Sequence, residues 1–237
     1  MDRDETSRIR ASTKGPLMKI ARLAARMAVG AMATALATTA VAVPAASANG
    51  KAKPLGTTSL AQVLTKDTSG FDRNSRDFDV LTAAVLAVLE AKPNSPVKVL
   101  TDGTVAVTAF IPTDAAFQQL VREITDSRKL PSESAAFAAV AGLGIDTVEN
   151  VLLYHVVPGA TIDRKTAVRA DGTDLTTALG STIEVDVRTY LYIFRQVRLI
   201  DADTTDRNAR VVTFDVNKGN RQIAHAVDRV LRPIDLP

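Results

Sequence analysis

"FIPTDAAFQQLV", residues 110–121, passes from a β-like segment into a helical one through Pro-Thr-Asp, with no glycine at the joint. Upstream, "TVAVTAFI" alternates as a strand does and puts Val105, Val107, Ala109 and Ile111 on one side. Pro112 stops that strand. Beyond it Phe117, Leu120, Val121 and Ile124 form the buried stripe of a helix, with Thr113 placed as its N-cap and Asp114 where a helix dipole favours a carboxylate. A phosphate loop or a nucleophile elbow at such a joint needs glycines, so that backbone can approach a ligand or turn sharply. Positions 112–116 are Pro, Thr, Asp, Ala and Ala, so the joint is expected to hold a fold and not to catalyse.

Working outward, "SLAQVL" starts a short helix before the joint, and "FDVLTAAVLAVLEA" (78–91) a long one, with Leu81, Ala84, Val85 and Val88 at helical spacing. "KPNSP" ends it, and Asp102-Gly103 is a turn. After the joint, "DTVENVLLYHVV" is a helix capped by Asp146 or Thr147, with Val148, Val151, Leu152 and His155 on one face. From Pro158-Gly159 onward the pattern is β: "TIEVDV", "YLYIF", "QVRLI", "RVVTFDV" and "QIAHAVDRVL". Helices first and mostly strands after, without βαβ repetition, predict an α+β fold.

The N-terminus carries an export signal. Basic Lys19, Arg22 and Arg26 precede an apolar run from Ala28 to Val43, then Pro44 and Ala46-Ser47-Ala48. Charged, apolar and A-x-A segments in that order predict a secretory leader over residues 1–48, cleaved after Ala48, with residues 1–17 as an extension ahead of it. Polar "NGKAKPLGTT" (49–58) is the expected flexible tail, and 59–237 the expected single domain. The full chain has a net charge of +3, but the leader holds seven basic and three acidic residues, which leaves the remainder at −1. The basic balance thus belongs to the leader and does not point to nucleic acid. There is no cysteine, which excludes disulfides, thiolate metal sites and a cysteine nucleophile.

Other chemical motifs are incomplete. The two histidines, His155 and His225, both fall on inward faces, and no ligand spacing joins them and Asp228 into a metal site. "SPVK" (95–98) fits S-x-x-K, but the Ser-Asp-Asn and Lys-Thr-Gly elements that chemistry requires are missing. "DADTTDRN" (201–208) has acid spacing suggestive of calcium, yet lacks the glycine and the final glutamate of a calcium loop and reads as solvated. No catalytic residue, cofactor or metal is therefore expected.

"TAFIPTDAAF" (108–117) resembles the first signature of the fasciclin domain, and "LLYHVVPG" (152–159) the second, with its Tyr-His pair at Tyr154 and His155. "IAHAVDRVLRP" (223–233) is similar to the family's last strand, with His225 as its histidine, ahead of a Leu-x-Pro ending. The resemblance implies a twisted β-wedge of mostly antiparallel strands with several helices packed against it. It also implies an adhesion or ligand-binding module, secreted or at the cell surface, without characteristic enzymatic activity. In animal members the Tyr-His region is tied to integrin contact; the physical reading of His155 as a core residue gives the pair a structural role. The expected partner is a surface, matrix or envelope protein or polysaccharide met by a monomer with no membrane span. A carrier of an apolar small molecule and a hydrolase or transferase of envelope polymers are the alternatives. Two departures stand out: Arg221-Gln222 replaces the family's Asn-Gly turn, and the segment 201–220 is longer than the usual connection.

Overall fold

Ser59 opens the fold's first helix with a reciprocal cap: its hydroxyl accepts the N–H of Gln62, whose side chain accepts the N–H of Ser59. The structure is a computed structural model and describes residues 53–234, so the predicted leader and the start of the tail lie outside it. Five helices come early: α1 (Leu60–Leu64), α2 (Asp79–Ala91), α3 (Asp114–Ile124), α4 (Glu133–Gly142) and α5 (Ile145–Tyr154). A 3-10 helix spans Pro96–Thr101, capped by the Ser95 hydroxyl, which gives the S-x-x-K serine a structural task. A short α6 (Arg164–Ala167) follows later. The strands are β1 (Val107–Pro112), β2 (Val156–Pro158), β3 (Thr173–Thr176), β4 (Thr182–Tyr190), β5 (Phe194–Ile200), β6 (Ala209–Val216) and β7 (Gln222–Val227).

The strands form one sheet in the order β2-β1-β7-β6-β5-β4-β3. Every pairing is antiparallel except that of β1 with β7, which are parallel and in register from Val107↔Gln222 to Pro112↔Val227. The α+β expectation holds, as does that of a mostly antiparallel sheet with helices against it. Strands β1 and β7 are buried on both faces. Their alternation therefore sorts residues between two cores and not between core and water. Val107, Ala109 and Ile111 of β1, with Ala224 and Ala226 of β7, join the helices around Val80, Val88, Phe117 and Leu152.

On the opposite face Phe110 and Val227 pack with Ile183 and Val185 of β4, Val197 and Leu199 of β5, and Val211 of β6. Strands β1 and β4 stand four positions apart in the sheet, about 19 Å if it were flat. Sharing one core requires the sheet to curl, and register shifts between β6 and β7 at Val211/Thr213 and Thr213/Val216 supply the bend. This is the wedge.

Several local expectations change. Helix α5 is capped by Gly144, whose φ of 88° favours glycine, and neither Asp146 nor Thr147 caps it. His155 is its C-cap residue, one position beyond the helical stripe. "YLYIF" is the tip of the β4–β5 hairpin and not a strand of its own. Gly56 to Thr58, read as tail, are pinned to the start of β7: the Gly56 N–H donates to Gly219 O, the Arg221 N–H to Gly56 O, and the Thr58 N–H to the Asn220 side chain. Gly103 is required by a close approach, since a Cβ there would lie 1.8 Å from the Thr57 carbonyl oxygen.

Candidate functional site

Thr113 has the extended backbone of an N-cap, but its side chain makes no capping bond, contrary to expectation. Its N–H donates to Val227 O at 3.2 Å, which locks the joint to the end of β7. Asp114 does more than meet its own helix dipole. Its buried carboxylate accepts the N–H groups of Asp79 and Val80 at 3.0 and 2.8 Å, satisfying two open donors of α2. In return the N–H groups of Asp114 and Ala115 donate to the carbonyls of Asp77 and Ser75. Asp114 thus caps α2, and the loop 72–78 that leads into α2 caps α3. Phe117, one turn further, is buried in the helical core as expected.

Asp114 has acidic company. One carboxylate oxygen each from Asp77, Asp114 and Glu133 lie within 4.8 Å of one another, and so do oxygens of Asp72, Asp79 and Glu133. Burial, followed by the Asp77 carboxyl beside it, pushes Asp114 up to about 8. Burial and the neighbouring acids, Asp77 foremost, push Asp79 up to about 6, and the same causes raise Glu133.

The Tyr-His pair divides between the two cores. Tyr154 packs in the sheet core, donates its hydroxyl to Thr182 O at 2.9 Å and accepts the Ala202 N–H at 3.0 Å. It thus ties α5 to β4 and to the segment after β5. His155 Nδ1 lies 2.7 Å from Val151 O, and its Nε2 accepts the Leu231 N–H at 2.9 Å. That pattern requires a neutral ring with the proton on Nδ1, and burial lowers its pKa to about 4. His225 sits between Phe110 and Phe214, accepts the Asp215 N–H at Nδ1 and lies 2.8 Å from Ile162 O at Nε2; burial lowers its pKa as well. Both histidines spend both ring nitrogens on backbone, and Asp228 pairs with Arg210 at 2.8 Å, so these three do not come together as metal ligands.

The motif residues are therefore joints of the fold, and the surface features lie elsewhere. At the β4–β5 tip, Tyr190, Leu191, Tyr192, Ile193 and Phe194 are five consecutive large apolar residues, from 54% to 99% exposed. Leu191 and Tyr192 hold φ of 49° and 62°, a conformation that costs a bulky residue of order 1 kcal/mol or more. The sequence signal was the loss of alternation over these five positions. A polar, open cleft of about 590 Å³ lies beside Asp201, Asp203, Asp206, Arg210 and Arg229. Asp201 and Asp203 are buried there, not solvated: Asp201 accepts the Arg232 N–H at 2.8 Å, and Asp203 binds the Arg232 guanidinium at 3.1 Å. Glu123 completes the clasp on Arg232 at 2.6 Å. The apolar hollow beside Phe117, Leu152 and His155 measures only about 20 Å³.

A curled, mostly antiparallel sheet with one parallel pair, helices joined through Asp114 on one face and a projecting apolar hairpin define a domain whose motifs serve its architecture. The family model of the fasciclin domain matches residues 81–233, and the chain belongs to that family. The family is in general an adhesion-type module found in extracellular or cell-surface proteins. Among solved structures the chain is similar to a FAS1 domain pair of the insect cell adhesion molecule fasciclin I, at 14% identity and a TM-score of 0.47. The likeness covers 75% of this chain and 51% of that one, so this chain spans about half the length of that structure. A search of the curated proteins gives no match.

Proposed function

We propose that this protein is an exported, non-catalytic adhesion module, acting as a monomer at the cell surface or outside it. In this reading residues 1–48 direct export and are removed after Ala48, and the β4–β5 tip is the contact surface. The observation that carries it is the exposed run Tyr190–Phe194, which is held at the tip of a hairpin at a cost in backbone strain and has no cover among the described residues. Exposed aromatic and aliphatic side chains of this size bury well against an apolar patch of a protein or the face of a sugar ring.

The test is capture of envelope and host-matrix proteins and polysaccharides by the parent protein and by the triple variant Leu191→Ser, Tyr192→Ser, Ile193→Ser. Loss of capture with unchanged thermal stability supports the tip, and equal capture by the variant removes it. N-terminal sequencing of protein recovered from culture medium should begin at Asn49. Recovery in membranes with the leader intact would overturn export.

The carrier reading has little support, since a 20 Å³ hollow is more than tenfold below the ~300 Å³ of a small ligand-binding pocket. The envelope-polymer hydrolase reading keeps one favourable observation, the open cleft beside Asp201. Burial raises that carboxyl to about 6. A turnover assay on envelope polymers with the parent and Asp201→Asn decides it.

A further inference from the structure

Helices α2, α3 and α4 all begin on an acidic residue, Asp79, Asp114 and Glu133, and the fold brings these three N-termini together around the loop 72–78. Asp72 and Asp77 of that loop complete a group of five carboxyl groups. Half of their oxygens are placed by hydrogen bonds: Glu133 Oε2 accepts the Asp72 N–H at 2.7 Å, Asp72 Oδ1 the Asn74 N–H, Asp77 Oδ2 the Asn74 side-chain amide, and the two Asp114 oxygens the two α2 donors. Three of the others stand out. Asp77 Oδ1, Asp79 Oδ2 and Glu133 Oε1 are buried without any partner. Glu133 is 1% exposed and Asp79 8%, and Glu133 supplies an oxygen to both close-packed triads.

Buried carboxylate oxygens normally have a donor or a cation, because leaving a charged acceptor without either forfeits its hydration. Among the described residues no lysine or arginine pairs with any of the five. The helix dipoles do not close the gap: three N-termini at about half a positive charge each bring roughly one and a half charges to five carboxyl groups. We propose that Asp72, Asp79 and Glu133, with Asp77 and Asp114 beside them, bind one divalent cation of calcium's size.

The donor set is all oxygen, which suits a hard cation and not zinc or copper. Magnesium demands a near-ideal octahedron and is usually held by about one or two carboxylates, whereas calcium takes roughly six to eight oxygens in a flexible geometry, so a group of carboxyls this rich fits calcium better. Asp72 is exposed and leaves an entry path and room for water ligands. The bound ion would tie the loop 72–78 to the starts of α2 and α4, adding to the hydrogen bonds and the Phe78 packing that already hold it.

The experiment is calorimetric titration of calcium and magnesium into the purified full chain after EDTA treatment, with thermal unfolding measured with and without each cation. The expected result is one calcium per chain, a rise in melting temperature with calcium, and magnesium at least about tenfold weaker. Glu133→Gln should bind calcium at least about tenfold more weakly, and the rim variant Asp72→Asn several-fold more weakly. In EDTA, Asp72→Asn should unfold at the parent's temperature, which makes it the deciding variant if Glu133→Gln does not fold. No binding heat and no thermal shift at about 5 mM calcium would overturn the site, since even the weak extracellular calcium modules bind below that. So would parent-like affinity in Asp72→Asn together with parent-like affinity in Glu133→Gln or its failure to fold. Magnesium binding as tightly as calcium would overturn the assignment of the ion.

Discussion

The Asp114 carboxylate accepts the backbone N–H of Asp79 at 3.0 Å, so the first residue of α3 caps the first turn of α2. An aspartate that the sequence places at its own helix N-terminus therefore serves a neighbouring helix 35 residues earlier in the chain. Asp114→Ala should destabilise the protein by about 1–3 kcal/mol, because the buried N–H groups of Asp79 and Val80 both lose their acceptor. Thr113→Ala, which removes no capping bond, should fall below that. Urea midpoints of the two variants give the comparison, and a larger effect at Thr113 would contradict the geometry.

Phe117 fills the space between α3, α2 and α5, and its replacement leaves a hole that close-packed neighbours refill only in part. Phe117→Ala should cost about 3–5 kcal/mol, measured by denaturant unfolding.

His155 sets a pH dependence whose sign is fixed. Its folded pKa of about 4 lies below the ordinary 6.5, so above pH 6.5 the ring is neutral in both states and its contribution is fully present. As pH falls from 6.5 towards 4 the unfolded chain takes up a proton that the folded chain refuses, and up to about 3 kcal/mol is lost. The buried carboxyls with raised pKa, Asp79, Asp114, Glu133 and Asp201, act in the opposite sense, so the readout is the difference between parent and variant. His155→Ala should be about 1–3 kcal/mol less stable at pH 7.5, with the gap narrowing towards pH 4. A gap that stayed constant with pH would show that the ring titrates normally.

Gln222 stands where the family's turn is replaced, and the fold gives the departure a purpose. Its Oε1 accepts the Leu60 N–H at 2.8 Å, and its Nε2 donates to the carbonyls of Val99 and Asp102 at 2.7 and 2.8 Å. Gln222→Leu keeps the volume and strands three backbone groups, so it should cost about 2–4 kcal/mol in thermal or urea unfolding. A neutral outcome would mean that water replaces all three bonds.

Elements with a regular hydrophobic period were legible in the sequence: α2, α3, α5 and β1 follow from Leu81, Val85, Phe117, Leu152 and Val107. Helix α4 was not legible in it, because its alanine-rich stretch has apolar residues all round and no face to detect. The inward positions of His155 and His225 followed from the same periods, but their partners did not. Val151 O is local, whereas the Leu231 N–H that fixes the His155 tautomer lies 76 residues away.

By itself the sequence determined the class of fold and the joint at Pro112, since local propensity, capping chemistry and apolar periodicity are properties of neighbouring residues. Only the tertiary structure decided what the polar residues do. Parallel pairing of β1 with β7, and the curl that puts Phe110 against Ile183, bring together groups more than 70 residues apart in the chain. Asp114 at the start of α2, Gln222 under α1, Arg232 among Glu123 and Asp203, and the acids around Glu133 owe their roles to that closure. A hydrogen bond or ion pair depends on distance in space, and a one-dimensional pattern carries no measure of it.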